Sequence, residues 1–394
     1  MQRQYLQAIK SRILEPRKFI QVILGPRQVG KTTLITQALH EVDIPYLFAT
    51  ADNIEGDSTV WLKTLWSKAR IECRKHNAEA GFLLVIDETQ KIANWSEVVK
   101  REWDMDTFNG VNIKLVILGS SSLLIQKGLT ESLAGRFEVI PIPHWSFAEM
   151  NEAFGWTADQ YIWFGGYPGP AELVGDENRW KQYISTTMIE TSISKDVLML
   201  SRIDKPALLR RLFEIGCRYS AQIVSLSKIQ GELNEKGNLT TLSNYLNLLD
   251  SARLIGGLEK FSSDMIRQRA SKPKFQVYNN ALVSAQIPMT LVQAQADANL
   301  WGRLVESAIG SHLQACADKG RYRLYYWNDG CREVDFVLQR GTATIGIEVK
   351  SGKANHVSGM KGFEERYHPE AIYLVGADGI PIEEFFRLDP VDLF

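Results

Sequence analysis

Short apolar runs and helical patterns alternate through the first third of the chain. FIQVILG is followed by the helical pattern TTLITQALHEV, then by IPYLFAT, a charged helix, FLLVIDE, a further helix and LVILGSS. Apolar runs long enough for strands and separated by helices predict a parallel sheet covered on both faces, in an α/β layer fold. Three of the strand ends carry polar residues, and the carboxyl ends of strands are where such sheets build sites. Between Trp156 and Leu200 the periodicity becomes helical, broken by the turn cluster Gly165-Gly166-Tyr167-Pro168-Gly169-Pro170. This predicts a small helical lid. From Pro206 to Phe261 come a helix, SLSKIQGELNE, a turn at Lys236-Gly237-Asn238, the helix LTTLSNYLNLLDSA and the segment RLIGGLEKF. Two helices joined by a Gly turn and followed by a hairpin-like segment predict a winged helix. Beyond the basic stretch Arg267–Lys274, a helix containing LVESAIGSHLQACA precedes the runs YRLYYW, EVDFVLQ, TIGIEVK and AIYLVG, a second α/β core. The expected division is 1–155, 156–204, 205–275 and 276–394.

Composition narrows the function classes. The 394 residues are 45% hydrophobic with a net charge of −1. No global field draws such a chain to nucleic acid or an anionic membrane, so a DNA-binding surface must be a local basic patch. No uncharged apolar stretch of about 18 residues occurs, which predicts neither membrane span nor export signal. Cys73, Cys217, Cys316 and Cys331 lie far apart and form no CxxC, a pattern suited to reduced thiols in a cytoplasm.

Gly25-Pro26-Arg27-Gln28-Val29-Gly30-Lys31-Thr32 fits GxxxxGK[ST] between an apolar strand and a helix, with Thr33 following. The glycines let backbone amides curl around phosphates, Lys31 reaches the β and γ phosphates of ATP, and the Thr32 hydroxyl can ligate magnesium. Leu83-Leu84-Val85-Ile86 runs into Asp87 and Glu88. Asp87 is expected to position the magnesium ion or its waters, and Glu88 to polarise the attacking water. Ser120, after LVILG, is the candidate γ-phosphate sensor. Arg136, in Ser132-Leu133-Ala134-Gly135-Arg136, either caps its own helix or completes a neighbouring subunit's site as an arginine finger.

A second constellation lies near the C-terminus. Glu348 and Lys350 are two apart in one strand and face the same side, and Asp335 can come alongside from the adjacent strand. Hard oxygen ligands beside a lysine suit magnesium-assisted phosphodiester cleavage: Asp335 and Glu348 hold the metal, and Lys350 orients water or offsets developing charge. Glu306, in the preceding helix, can add a fourth group. In the winged helix, Thr240, Thr241, Ser243, Asn244 and Asn247 offer short polar donors to DNA, with Lys228, Lys236 and the Arg267–Lys274 run meeting phosphates.

GPRQVGKTT, VIDETQKIANW, GSSSLL, SLAGRF, SFAEM and GGYP, in this order, resemble the AAA+ family of prokaryotic ATPases with a C-terminal nuclease-like domain. The resemblance covers nearly the whole chain. It implies a RecA-like P-loop αβα core, a helical lid, a winged helix, Pro168 in a loop near the adenine, and subunits working as rings or nucleotide-gated assemblies. At the sensor position Ser120 stands where AAA+ proteins usually carry Asn or Thr. The C-terminal residues resemble the PD-(D/E)xK nucleases of the restriction-endonuclease-like α/β fold, in which a helical Glu precedes the Asp and the ExK. Two functions are consistent with these residues. One is an oligomeric ATPase acting on DNA, with branched or recombination and repair intermediates among its substrates. The other is a nucleotide-gated switch whose C-terminal domain docks a protein without catalysis.

Overall fold

The computed structural model describes residues 3–76, 81–119, 129, 132–198, 203–233, 238–262, 264, 271–352, 358–376 and 378–394. The chain divides into two units, Met1–Pro143 and His144–Phe394.

The first unit is a five-stranded parallel sheet. Its strands are β1 (Ile20–Leu24), β2 (Tyr46–Thr50), β3 (Phe82–Asp87), β4 (Ile113–Gly119) and β5 (Phe137–Pro141), in the order β2-β3-β4-β1-β5. Strict alternation splits the central strands between two cores. Val22, Leu84, Ile86, Leu115 and Ile117 pack with Trp66 and Trp103 of the helices Ser58–Lys75 and Trp95–Phe108. Ile23, Leu83, Val85, Val116 and Leu118 pack with Leu6 and Ile9 of the N-terminal helix and Leu34 and Ile35 of Lys31–Glu41. Side chains of period two, apolar at both phases, can be buried only between two helical layers.

The second unit opens with two short helices, Phe147–Phe154 and Ala158–Phe164, each started by a capping box: Ser146 with Glu149, and Thr157 with Gln160. The SFAEM motif is therefore, in part, a helix-start device. The glycine turn after the second helix is pinned by packing. Gly165 has φ +69°, Gly166 N–H donates to Asn279 Oδ1 at 3.1 Å, and a Cβ on Gly166 would lie 2.1 Å from the Trp145 carbonyl oxygen. Further along, the helices Pro206–Arg218, Leu226–Leu233 and Leu239–Ser251 accompany a small antiparallel sheet of β6 (Gln222–Ile223), β7 (Ile255–Leu258) and β8 (Lys274–Val277), ordered β6-β8-β7. The long helix Ala298–Ala317 then leads to β9 (Arg323–Asp329), β10 (Arg332–Arg340), β11 (Ala343–Lys350) and, after the helix Ser358–Tyr367, β12 (Ala371–Gly376). Their order is β12-β11-β10-β9, with β11 and β12 parallel and the other pairs antiparallel. A large hydrophobic core runs through this unit from Phe147 to Phe386, and a separate one gathers Phe261, Tyr325, Trp327, Val334, Val337 and Phe363. Among the described residues no helix is long and apolar enough to cross a membrane.

Candidate nucleotide site and carboxylate–lysine site

In the first unit the loop from Gly25 to Gly30 joins β1 to the helix Lys31–Glu41. Gly30, at the helix start, has φ +83°, and Gln28 has φ +56°. The left-handed turn leaves the first amides of the helix without intrahelical carbonyls, a ready anion site. Gly25 is required by a close approach: a Cβ there would sit 2.1 Å from the carbonyl oxygen of Ile142. Lys31 Nζ donates to the carbonyls of Gly25 at 2.9 Å and Pro26 at 2.7 Å, so the ammonium is folded over its own loop. Arg3 braces the same loop, donating to Val29 O at 3.0 Å and Pro143 O at 3.3 Å. Nothing in the local pattern around Arg3 signals that role, because its partners are main-chain carbonyls far along the sequence.

Thr32 Oγ1 donates to Asp87 Oδ2 at 2.7 Å, bringing a hydroxyl from the first turn of the helix Lys31–Glu41 to the carboxylate that ends β3. This is a donor set that a hard divalent cation takes, so the residues fit magnesium with ATP. Glu88, at φ +54°, follows at once, and its Oε2 accepts from Gln90 Nε2 at 2.7 Å. Burial raises the Glu88 carboxyl above the usual range, opposed by Arg27 and reinforced by the Asp87 charge. On the expectation that Glu88 accepts a proton from the attacking water, the acid limb of kcat for ATP hydrolysis lies above the ordinary carboxylate range. A pH–rate profile beside Glu88→Asp checks this, and a limb at an unperturbed carboxylate value would refute it.

β4 lies between β1 and β3 and leads to Ser120, the expected sensor, which lies outside the described residues. Arg136 is not beside the loop. It precedes β5, whose Phe137 pairs with Ile20 at the amino end of β1, whereas Gly25 follows the carboxyl end. There Arg136 grips Asp104 with two nitrogens, at 2.8 and 3.1 Å, and reaches the Ala134 carbonyl at 3.3 Å. Pro168 belongs to the second unit, where its carbonyl accepts from Ala171 N.

Residues 17–151 match the family described as AAA domain. The chain carries an AAA-type P-loop ATPase domain. Two further matches follow the AAA domain, both to domains of unknown function: DUF8612 over 156–293 and DUF4143 over 301–387. An uncharacterized protein of Haemophilus influenzae is 24% identical over 285 residues, covering 67% of this chain and 68% of its own length. The Walker-type ATPase PABY2304 of Pyrococcus abyssi aligns with 15% identity and a TM-score of 0.46, over 71% of this chain and 95% of its own. The Aeropyrum pernix ORC1 protein, solved in complex with DNA, aligns with 12% identity and a TM-score of 0.32, over 71% and 90%.

Apart from the AAA domain, the second unit gathers the C-terminal candidates. Glu348 Oε1 accepts from Lys350 Nζ at 2.6 Å, and Asp335 Oδ2 accepts from Val349 N–H at 2.7 Å. The register of β10 shifts between Val334 and Val337, which re-aims Asp335 at the neighbouring strand. Glu306 arrives from the helix Ala298–Ala317. Two residues join that the motif did not include. Glu333, Asp335 and Glu306 each offer an oxygen within 4.8 Å of the others. Lys274, on β8, places its ammonium 2.6 Å from Glu306, 3.2 Å from Glu333 and 3.5 Å from Asp335. Burial alone would lower the Lys274 pKa, but the three carboxylates outweigh it and hold the group protonated. Burial, with the Asp335 charge next, raises both Glu306 and Glu348.

This placement overturns one expectation. Lys274, read as the last phosphate contact of the basic stretch, is 0% exposed and cannot reach DNA. Lys236 and residues 267–270 lie outside the described residues. On the helix Leu239–Ser251, capped by Asn238, Thr240, Asn244 and Asn247 are exposed and Thr241 and Ser243 half-buried. Lys228 is exposed on the preceding helix.

Proposed function

We propose that this protein is an ATP-hydrolysing, ring-forming AAA protein that acts on DNA, and that its C-terminal site cleaves phosphodiesters with a divalent cation. The observation that carries the reading is the meeting of Glu306, Asp335, Glu348 and Lys350 on one sheet, reached from a helix and two strands. The succession of a helix, three antiparallel strands, a helix and a parallel strand supports a PD-(D/E)xK arrangement.

In the ATP site, Lys31 would exchange the Gly25 and Pro26 carbonyls for phosphate oxygens, and Glu88 would receive the proton of the attacking water at its carboxylate. Magnesium, held by Thr32 and Asp87, would supply charge to the phosphates. Arg136, at the far end of the strands from its own loop and held there by Asp104, would act as an arginine finger in a neighbouring subunit's site if the protein forms a ring. At the C-terminal site Asp335 and Glu348 would hold the cation, with Lys350 orienting water. The helix Leu239–Ser251 would lay Thr240, Asn244 and Asn247 on DNA as the recognition helix of a winged helix.

Linear, single-stranded and branched DNAs assayed with and without ATP, on wild type and Lys350→Ala, test the whole reading. DNA-stimulated ATP turnover is expected in both proteins, with metal-dependent nicking in wild type alone. The reading is lost if no DNA of any shape binds or changes the ATPase rate. One observation favours a second reading, a nucleotide-gated switch with a non-catalytic docking domain: Lys274 already supplies a cation to Glu306, Glu333 and Asp335. Very slow turnover, retained nucleotide and no DNA affinity would mark the switch.

A further inference from the structure

We propose that Lys274 is the resident cation of the C-terminal carboxylate cluster, so that Glu306 and Glu333 are not metal ligands and the site admits one divalent ion at most, on its Glu348 side. The proposal shares its carboxylates with the cleavage reading but does not depend on cleavage.

A fully buried ammonium persists only if its donors are taken up by acceptors. Lys274 meets that demand within the cluster by donating to Glu333 Oε1 and to the main-chain carbonyl of Asp335, both at 3.2 Å, and is ion-paired with Glu306 and Asp335 Oδ1. The Phe336 ring lies 5.0 Å away, adding a face that favours a cation. The ammonium is tethered by β8, which pairs with both β6 and β7, so it cannot diffuse out when metal arrives. A divalent ion bound among the same three oxygens, which lie within 4.8 Å of one another, would press against this fixed positive charge.

The other side of the cluster is different. Glu348 is 7% exposed, and its Oε2 is buried with no hydrogen-bond partner among the described residues, while Oε1 is taken by Lys350. With all four carboxylates ionised, as metal binding would favour for the buried Glu306 and Glu348, two ammonium groups leave two negative charges, which one divalent ion balances. The helix and β10 that carry the cluster belong to the segment 301–387, and Lys274 to the segment 156–293, so the cation also ties two separately matched regions of this unit together.

Mn2+ binding to the full, nucleotide-free chain tests the proposal, by calorimetry and by the spin resonance of free Mn2+. Lys274→Met is expected to gain a Mn2+ site at least tenfold tighter than any in wild type, abolished by adding Glu306→Gln, while Lys274→Arg behaves as wild type. Folding of each variant is followed by thermal unfolding. Should Lys274→Met fail to fold, Glu306→Gln in the otherwise native chain decides: Mn2+ affinity within twofold of wild type supports the proposal, and a tenfold loss overturns it. A folded Lys274→Met that gains no site also overturns it. Wild type binding no Mn2+ at the C-terminal site, with Lys274→Met binding it, would instead sink the cleavage reading and leave this proposal standing.

Discussion

Lys31→Ala is expected to abolish ATP turnover, with kcat falling by about 10²–10³-fold or more, the cost of removing a charge aimed at the reacting group in a preorganised site. The Lys31 ammonium is held across the loop by the Gly25 and Pro26 carbonyls, at 2.9 and 2.7 Å, so it is positioned before any phosphate arrives. Glu88→Gln is the informative partner: it keeps the shape and the bond from Gln90 but removes the proton acceptor. Nucleotide should then bind with near-native affinity while turnover drops by roughly 10²–10⁴-fold. Fluorescent-nucleotide binding and phosphate release, measured on both variants, check the separation. Loss of binding in Glu88→Gln, or residual turnover above a tenth of wild type in Lys31→Ala, would refute these roles.

The largest expected effect on stability belongs to Lys274→Ala. Removing one partner of a buried ion cluster leaves uncompensated charge, and such losses run to about 3–5 kcal/mol. The deficit should depend on pH with a definite sign. Burial already holds the Glu306 carboxyl above the usual range, and without the ammonium it would rise further. Below the unfolded value Glu306 is protonated in both states and costs nothing. From the unfolded value up to the raised value in wild type, both folded proteins keep the Glu306 proton and lose stability equally, so the deficit is constant; above it wild-type Glu306 ionises against Lys274 while the variant's stays protonated, so the deficit grows. Denaturant unfolding of wild type and Lys274→Ala across this range measures it, with Lys274→Arg as the charge-conserving control. A deficit that shrinks with rising pH would contradict the placement of Lys274 against Glu306.

The two sites differ in how far they could be read from residue order. The nucleotide loop is local. Gly25, Gly30, Lys31 and Thr32 fall within eight residues, and the apolar strand before them and helix after them supply their own context. Asp87 is remote in sequence, yet it ends an equally apolar run, so its place at the carboxyl edge follows from the parallel sheet. The contact of Thr32 with Asp87 is the meeting that this pattern implies. At the C-terminal site the spacing of Glu348 and Lys350 was enough to place both on one face, and they pair at 2.6 Å.

What escaped the pattern has a common cause. Lys274 ends a stretch rich in Arg and Lys, and a charge run ordinarily faces solvent. Its inward turn depends on β8 lying between β6 and β7 and on acidic residues 32 to 61 positions further on. Glu333 sits two residues from Asp335, but a register shift separates them, and regular alternation does not reveal what a bulge does to a strand. Arg3 is one basic residue among several near the N-terminus, and its partners are carbonyls, which every residue possesses.

From sequence alone come the alternation of apolar runs, the phosphate loop, the strand-end acids and the ExK spacing, because each is a short-range pattern in which period and residue type suffice. Tertiary structure decided the rest. It set β4 between β1 and β3, put Arg136 at the opposite strand end from its own loop, and placed a buried lysine among three carboxylates. Charges brought together by distant segments must be paired once water is excluded, and that pairing depends on the packed fold as a whole.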